Sequence, residues 1–471
     1  MGDRGMITVV GMDGSPLSPR AETALATATL VAGAHRHLAA VSALAPAPAR
    51  PAATANGRPR AQVIVLGELA PAVDALAAHD GDAVILASGD PGFFGIVRAL
   101  RGRGLTFTVL PAVSSVAMAF ARAGLPWDDA VVVSAHGRDP RPALNVCRAH
   151  PKVAVLTGPG CGPADIGAAL AGWDRRLVVC AHLGSGSEQV VECTPAEAAS
   201  RAWEDPNVVL VLGGAESVIM GFWSLQRPQS HDHEVEPARG SAAGEVNGAD
   251  GTAGPSWVWP GRAGPTGWAL SEEEFDSRDA VITKAEVRAL ALARLAPGPG
   301  LLVWDVGAGS GSVAVECARF GAAVIAVERD AVRCERMRAN AARHGADVRV
   351  VPGAAPEALG GLPAPDAVFV GGGGTAVIEA AAARRPARIV VALAAVERAG
   401  PAHAALTAAG YAAGGALVQA ARLAPLPGDV HRLAATNPVF LLWGTAVTAE
   451  PADRGDAGAP GPSGSRPGAP P

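Results

Sequence analysis

The chain has 471 residues, of which 49% are hydrophobic, 18% charged and 4% aromatic, with 58 Gly and 39 Pro. That length holds two or three domains with sizeable cores. A formal charge of −5 at pH 7 and so few aromatic rings argue against a nucleic-acid partner, which needs a basic surface and stacking platforms.

Met1 to Ile7 has no basic stretch followed by an apolar run, and runs such as Val208 to Ala215 meet a charge well short of the ~20 residues that span a bilayer. A cytoplasmic protein without membrane contact is expected. Cys147, Cys161, Cys180, Cys193, Cys317 and Cys334 form no C-x-x-C pair, so no metal site is expected and the thiols read as reduced, buried small hydrophobes.

In chain order, apolar runs alternate with Ala-rich helical patterns. Strands are predicted at Ile7-Val10, Val63-Leu66, Val84-Ala87 and Phe107-Leu110, then at Val131-Ser134, Val153-Thr157, Val178-Cys180 and Val208-Leu212. Continuous apolar strands separated by helices imply a mostly parallel sheet covered on both faces. A break near residue 112 splits residues 1–225 into two α/β lobes with a cleft between them. Residues 226–256 lack apolar periodicity and read as a linker whose cleavage would release two folded halves, since few contacts should cross it. Over residues 257–449 a helix begins at Thr283, and strands follow at Leu302-Val306, Val324-Val327, Val348-Val351, Ala367-Val370 and Ile389-Leu393, with a terminal pair ending at Pro438-Gly444. That alternation predicts a doubly wound sheet with an antiparallel finish. Residues 450–471 read as a disordered tail.

The sharpest motif is Asp305-Val306-Gly307-Ala308-Gly309-Ser310-Gly311, between a strand and a helix. Its glycines admit a ligand close to the backbone, and the helix start offers free N–H groups. The pattern alone suits a dinucleotide or S-adenosylmethionine (SAM). The third glycine of G-x-G-x-x-G falls at Ser312, and Glu328 ends the next strand where a carboxylate can accept ribose hydroxyls, which together favour SAM. Gly371 to Gly374 follows another strand and leaves open space at the sheet edge. Thr283 and Glu286 form T-x-x-E, a capping box. In the first half, Ser88-Gly89-Asp90-Pro91-Gly92-Phe93-Phe94-Gly95 lies between strand and helix, and Ser114-Ser115 opens the next helix.

Joined with Val9-Val10-Gly11, Pro111-Ala112-Val113-Ser114-Ser115, Leu125-Pro126-Trp127-Asp128-Asp129-Ala130 and Ser134-Ala135-His136-Gly137-Arg138, the first-half stretch resembles the tetrapyrrole methylases of cobalamin synthesis. The second half resembles the decarboxylating precorrin methyltransferases through Ile282-Thr283-Lys284-Ala285-Glu286-Val287-Arg288, Trp304 to Ser312, and Pro365-Asp366-Ala367-Val368-Phe369-Val370-Gly371-Gly372-Gly373. Both in one chain are similar to the fused precorrin-6Y methyltransferase (decarboxylating) family. The resemblance implies a two-lobed tetrapyrrole methylase fold followed by a class I SAM-dependent methyltransferase (Rossmann-like) fold, each binding one SAM. It implies that Gly89, Asp90, Pro91, Ser114, Ser115 and Thr157 lie near the first SAM, and Thr283, Gly307, Ala308, Gly309, Ser310, Gly311, Glu328 and Ala354 near the second. The chain departs from the family in a shortened loop at Gly11-Gly14 and in Ala392 to Glu397, which lacks the usual polar side chains.

The reaction so implied is methylation of a precorrin at carbons 5 and 15 with loss of carbon dioxide from the ring C acetate. Gly371, Gly372 and Gly373 would face the substrate, and Arg138 and Arg288 are candidates to grip its carboxylates, since a guanidinium fork suits them. No residue is assigned as catalytic acid or base, and a homo-oligomer is left open. The alternative keeps the SAM sites and gives the second half an RNA base. A non-enzymatic SAM-responsive scaffold is the third reading, and it would need neither the open glycine loop nor two methyltransferase folds.

Overall fold

The computed structural model describes residues 5–44, 61–67, 69–94, 96–136, 139–213, 267–277 and 282–447. The expected linker, the expected tail and Arg138 lie outside the described residues.

The first lobe runs β1 (Ile7–Met12), α1 (Pro19–Thr27), β2 (Leu30–Gly33), α2 (His35–Leu44), β3 (Gln62–Val65), α3 (Leu69–Ala77), β4 (Ala83–Ser88), α4 (Ile96–Gly102) and β5 (Phe107–Leu110). Its sheet has the order β3-β2-β4-β1-β5 and is parallel throughout. Val9 and Ile85 point to one buried layer and Val10, Val84 and Leu86 to the other, which is why these strands read as unbroken apolar runs.

The second lobe runs α5 (Ser115–Ala123), β6 (Val131–Ser134), α6 (Arg141–Ala149), β7 (Lys152–Leu156), α7 (Pro163–Ala169), β8 (Arg175–Ala181), β9 (Gln189–Cys193), α8 (Pro195–Ala199) and β10 (Asn207–Gly213). Its order is β6-β7-β10-β8-β9. Here the parallel expectation fails: only β6 and β7 pair in parallel, whereas β7 with β10, β10 with β8, and β8 with β9 are antiparallel. The connection from β8 to β9 is too short for a crossover helix, so it can only fold back as a hairpin.

The second half runs α9 (Ala285–Leu295), β11 (Leu302–Val306), α10 (Ser312–Arg319), β12 (Ala323–Glu328), α11 (Ala331–Arg343), β13 (Arg349–Pro352), β14 (Ala367–Val370), α12 (Thr375–Ala382), β15 (Arg388–Leu393), α13 (Val396–Ala408), β16 (Tyr411–Val418), β17 (Ala421–Leu426), β18 (Val430–Ala435) and β19 (Val439–Ala446). Seven strands order as β13-β12-β11-β14-β15-β19-β16, parallel except around β19. The expected doubly wound sheet with an antiparallel finish is therefore present. Val439 and Phe440 of the final strand pack as core. Alternation along β11 sends Leu302, Trp304 and Val306 to one face and Val303 to the other.

The capping box expected of Thr283 and Glu286 does not form. Lys284 is the N-cap residue of α9 and makes no side-chain cap bond. The Ala285 N–H instead donates to Glu272 Oε1 at 2.8 Å, and Glu286 is taken by Arg422, which also holds Glu272. This Arg422 guanidinium keeps the Glu272 carboxyl down at about 2 and ties the β17–β18 ribbon to α9. The expectation that few contacts cross between the halves also fails: Arg141 pairs with Asp366 and Arg175 with Asp347, both at 2.6 Å.

Candidate functional site

In the first half the loops after β1, β4 and β5 converge at the carboxyl edge of the sheet. Gly89 N donates to Met12 O at 2.7 Å and Ala112 N to Gly89 O at 3.3 Å. A Cβ on Gly11 would stand 2.1 Å from Gly89 O and 2.5 Å from Ala112 N, so only glycine allows this approach. A cavity of about 480 Å³ opens beside it, lined among others by Gly11, Asp13, Ser15, Leu17, Pro111 and Val113. The Asp13 carboxylate is built into the wall, accepting from Ser15 N at 2.9 Å and Val113 N at 3.1 Å. Burial alone would raise its pKa, but those donors hold it below the usual carboxylate value.

None of the predicted first-half residues is among those that line this cavity. Gly89 and Ser114 stand behind the lining loops, and Ser114 Oγ caps α5 by accepting from Ala117 N at 3.1 Å. Asp90 Oδ1 accepts from Gly92 N at 2.8 Å, which shapes the turn holding Pro91, while Ser115 is the first residue of α5. The Thr157 hydroxyl lies within 2.6 Å of Asn207 O, so its proton is already engaged. Sequence reasoning missed Asp13, although the departure at Gly11-Gly14 marked its loop. That loop also closes the cleft: a Cβ on Gly14 would meet Gly184 O of the second lobe at 1.9 Å.

In the second half the β11–α10 turn is the glycine cradle that its sequence predicts. Gly307, Gly309 and Gly311 take φ of +73°, +58° and +77°. Gly309 N donates to Glu328 Oε2 at 2.9 Å and Asp330 N to Glu328 Oε1 at 3.0 Å. Each Glu328 oxygen keeps a further lone pair, which is what two ribose hydroxyls need. Gly371 N donates to Val306 O at 2.8 Å, so the Gly371 to Gly374 loop flanks the cradle, and nothing stands within 4 Å of a Cβ placed on Gly372. Ala354 is exposed, next to the Gly353 N–H that donates to Glu328 O at 2.9 Å. Ala308 lines the same turn, and the Ser310 carbonyl is held by Asn340 Nδ2 at 2.9 Å. Asn340 also bonds both backbone groups of Asp276 and had no signal in the sequence, because an asparagine inside α11 reads as a surface residue.

Arg288 is a correction. Its side chain is fully buried against an equally buried Glu316, with Nε to Oε1 at 2.5 Å. Its other nitrogens donate to the Leu270 and Thr283 carbonyls. It fastens Leu270 and Thr283 to α9 and α10 and presents no donor to a substrate. The Thr283 carbonyl is engaged by Arg288 Nη1 at 2.6 Å, a contact that does not bring the residue to the glycine cradle.

Asp305 fits a cationic ligand. Its Oδ2 accepts from Ala314 N at 2.9 Å, while Oδ1 is buried without a partner. Burial, with the Glu328 charge adding to it, pushes its carboxyl up to about 7. Among the described residues, no group of His, Cys, Asp and Glu could hold a metal and no helix is long and apolar enough to cross a membrane. All six cysteines are free and buried, as expected.

Comparison with known proteins covers both halves. Residues 7–199 match the Tetrapyrrole (Corrin/Porphyrin) Methylases, and residues 273–445 the Precorrin methyltransferase domain. A precorrin-6Y C(5,15)-methyltransferase [decarboxylating] from Sinorhizobium sp is 32% identical over 389 residues, 80% of this chain and 81% of that protein. The chain belongs to this family. Decarboxylating precorrin methyltransferases use SAM as methyl donor, and the glycine cradle with Glu328 and the unpaired Asp305 oxygen suits that cation. Two further relatives match shorter parts of this chain. A cobalt-precorrin-7 C(5)-methyltransferase from Salmonella typhimurium is 30% identical over 214 residues, 44% of this chain and 98% of its own. A probable cobalt-precorrin-6B C(15)-methyltransferase (decarboxylating) from Pyrobaculum calidifontis is 42% identical over 132 residues, 26% of this chain and 68% of its own.

The raised Asp305 carboxyl carries a pH prediction. A carboxyl shifted upward favours the folded state most below its unfolded value of about 3.9 and loses that contribution as pH rises through about 7. A bound cation favours the ionised form. SAM affinity at this cradle is therefore expected to climb between about pH 6 and pH 8, and Asp305→Asn to flatten the slope. Calorimetric titration across that range checks it.

Proposed function

We propose that this chain methylates precorrin-6Y at carbons 5 and 15 and removes carbon dioxide from the ring C acetate, using one SAM site in each half, in the cytoplasm. The second half is assigned carbon 15 and the decarboxylation, and the first half carbon 5. The observation that carries the reading is the presence, in one family member, of two separate glycine-bearing loop clusters at the carboxyl edges of two different sheets. Relatives named for carbon 5 alone and for carbon 15 with decarboxylation support the division. No feature of either pocket favours an RNA base.

When bound, SAM supplies a methyl group electrophilic enough for an electron-rich carbon of a reduced tetrapyrrole. The chain's own contribution is then alignment and exclusion of water, and a misplacement of about 1 Å costs on the order of 100-fold in rate. Glu328 and the cradle N–H groups fix the donor side, while the Gly371 to Gly374 loop leaves width for a macrocycle beside it. Methylation at carbon 15 leaves a conjugated cation, which takes up the electron pair of the acetate C–C bond as carbon dioxide departs, so both steps fit one pocket.

The test uses the full chain with Gly14→Val, which drives a side chain into Gly184 and damages only the first cleft. Incubated with precorrin-6Y and SAM, it is expected to yield a product one methyl heavier and one carbon dioxide lighter. A product methylated but not decarboxylated would overturn the assignment.

A further inference from the structure

We infer that the first half supplies the helix missing from the second half's outer layer, so that the two halves bind each other through a built interface that does not depend on the segment joining them. In a doubly wound sheet every crossover normally lays a helix over one face. The crossover from β13 to β14 has only a three-residue 3-10 turn, Glu357–Leu359. The sheet face beneath it, with Leu302, Trp304 and Ile325, is nevertheless buried.

Beside Leu359 and Leu362 of the crossover itself, part of what covers it comes from the first half. Trp173, on the turn between α7 and β8, is 6% exposed and belongs to the same apolar cluster as Trp304, with Ala149 of α6 packed against that cluster. Polar contacts ring these groups. Asp366 accepts from Arg141 Nη2 at 2.6 Å, from Asn145 Nδ2 at 3.2 Å and from its own half's Leu302 N at 2.8 Å. Asn145, 3% exposed, also donates to Gly300 O at 3.0 Å. Arg175 caps the end of α6 through the Cys147 and Arg148 carbonyls and reaches Asp347 at 2.6 Å. A Cβ on Gly172 would stand 2.7 Å from Arg349 Nη2, so the turn lies flush against β13. A buried aromatic ringed by paired polar and charged groups is the anatomy of a specific interface rather than of incidental contact.

The dock also sets direction. Gly300, Leu302, Asp347, Arg349 and Asp366 all lie at the amino ends of β11, β13 and β14, while Gly307, Glu328 and Gly371 lie at or beyond the carboxyl ends of their strands. Roughly 15 Å of strand separates the two edges, so the glycine cradle lies at the sheet edge opposite the dock. The interface is independent of which reaction either pocket performs.

The experiment uses the full chain with a protease site placed between Gln226 and Ser256. After complete cleavage the halves are expected to co-elute on size exclusion at micromolar concentration. The pair Arg141→Glu with Asp347→Arg changes two partly exposed side chains and sets like charges against Asp366 and Arg175. It is expected to weaken the association at least tenfold, an ordinary effect for charged interface pairs. Arg103→Glu, on the far lobe, is expected to leave it unchanged, and circular dichroism of each variant reports folding separately. Cleaved wild-type halves that elute apart, or a charge-reversed pair that still associates with wild-type affinity, would overturn the inference.

Discussion

A chain carrying Gly307→Val is expected to bind one equivalent of SAM fewer than the two proposed for the native chain, and to lose at least about 100-fold in decarboxylation rate. Gly307 has φ of +73° and lies with its Cβ position 3.2 Å from Gly372 N. A β-branched residue held in that region costs roughly 1–2 kcal/mol, and relaxing it moves the whole cradle. If it does not relax, the isopropyl group fills the gap between the cradle and the Gly371 to Gly374 loop, where donor and macrocycle have to meet. The remaining binding event should keep its native enthalpy, because the first cleft shares no residue with this one. Calorimetry and carbon dioxide release measured on the same preparation check both claims. Two intact binding events would mean that the β11–α10 turn is not a SAM site.

Arg288→Met is expected to destabilise the second half by about 3–5 kcal/mol, the usual cost of leaving one member of a buried ion pair unpartnered. Glu316 would keep the Ala269 and Leu270 N–H groups at 2.6 and 3.0 Å but lose the cation paired with it. The Leu270 and Thr283 carbonyls would lose their donor, loosening the segment that Asn340 also ties to the Ser310 turn. Urea unfolding followed through the tryptophans should resolve the loss. KM for the precorrin separates this from a substrate-gripping role. With the protein kept folded at low temperature, KM should stay near its native value, and a large rise in KM at unchanged stability would return Arg288 to the substrate.

Much of this protein is determined by local sequence. The apolar runs at β1, β4, β11, β12 and β14 are buried on both faces, so their composition alone marks them as interior parallel strands. The glycine cradle is equally legible, since three left-handed φ values at every second residue admit few residues but glycine. The order of motifs along the chain was enough to point to the fused methyltransferase family. Short, partly exposed strands were less visible: β2 was lost in its Ala-rich surroundings, and β9 and β17 alternate too weakly to stand out.

What only the tertiary structure decided concerns partners far apart in sequence. Whether Glu286 caps its own helix or pairs with Arg422 depends on a ribbon 136 residues away. Whether Arg288 grips a substrate or a buried Glu316 depends on two helices packing face to face. Asp13, Asn340 and Asp366 each look like ordinary surface polar residues until the chain brings an unpaired backbone N–H or carbonyl to them. Helix and strand patterns repeat over a few residues and can be read from neighbours, whereas the partner of a polar side chain is set by whichever distant group the fold buries beside it.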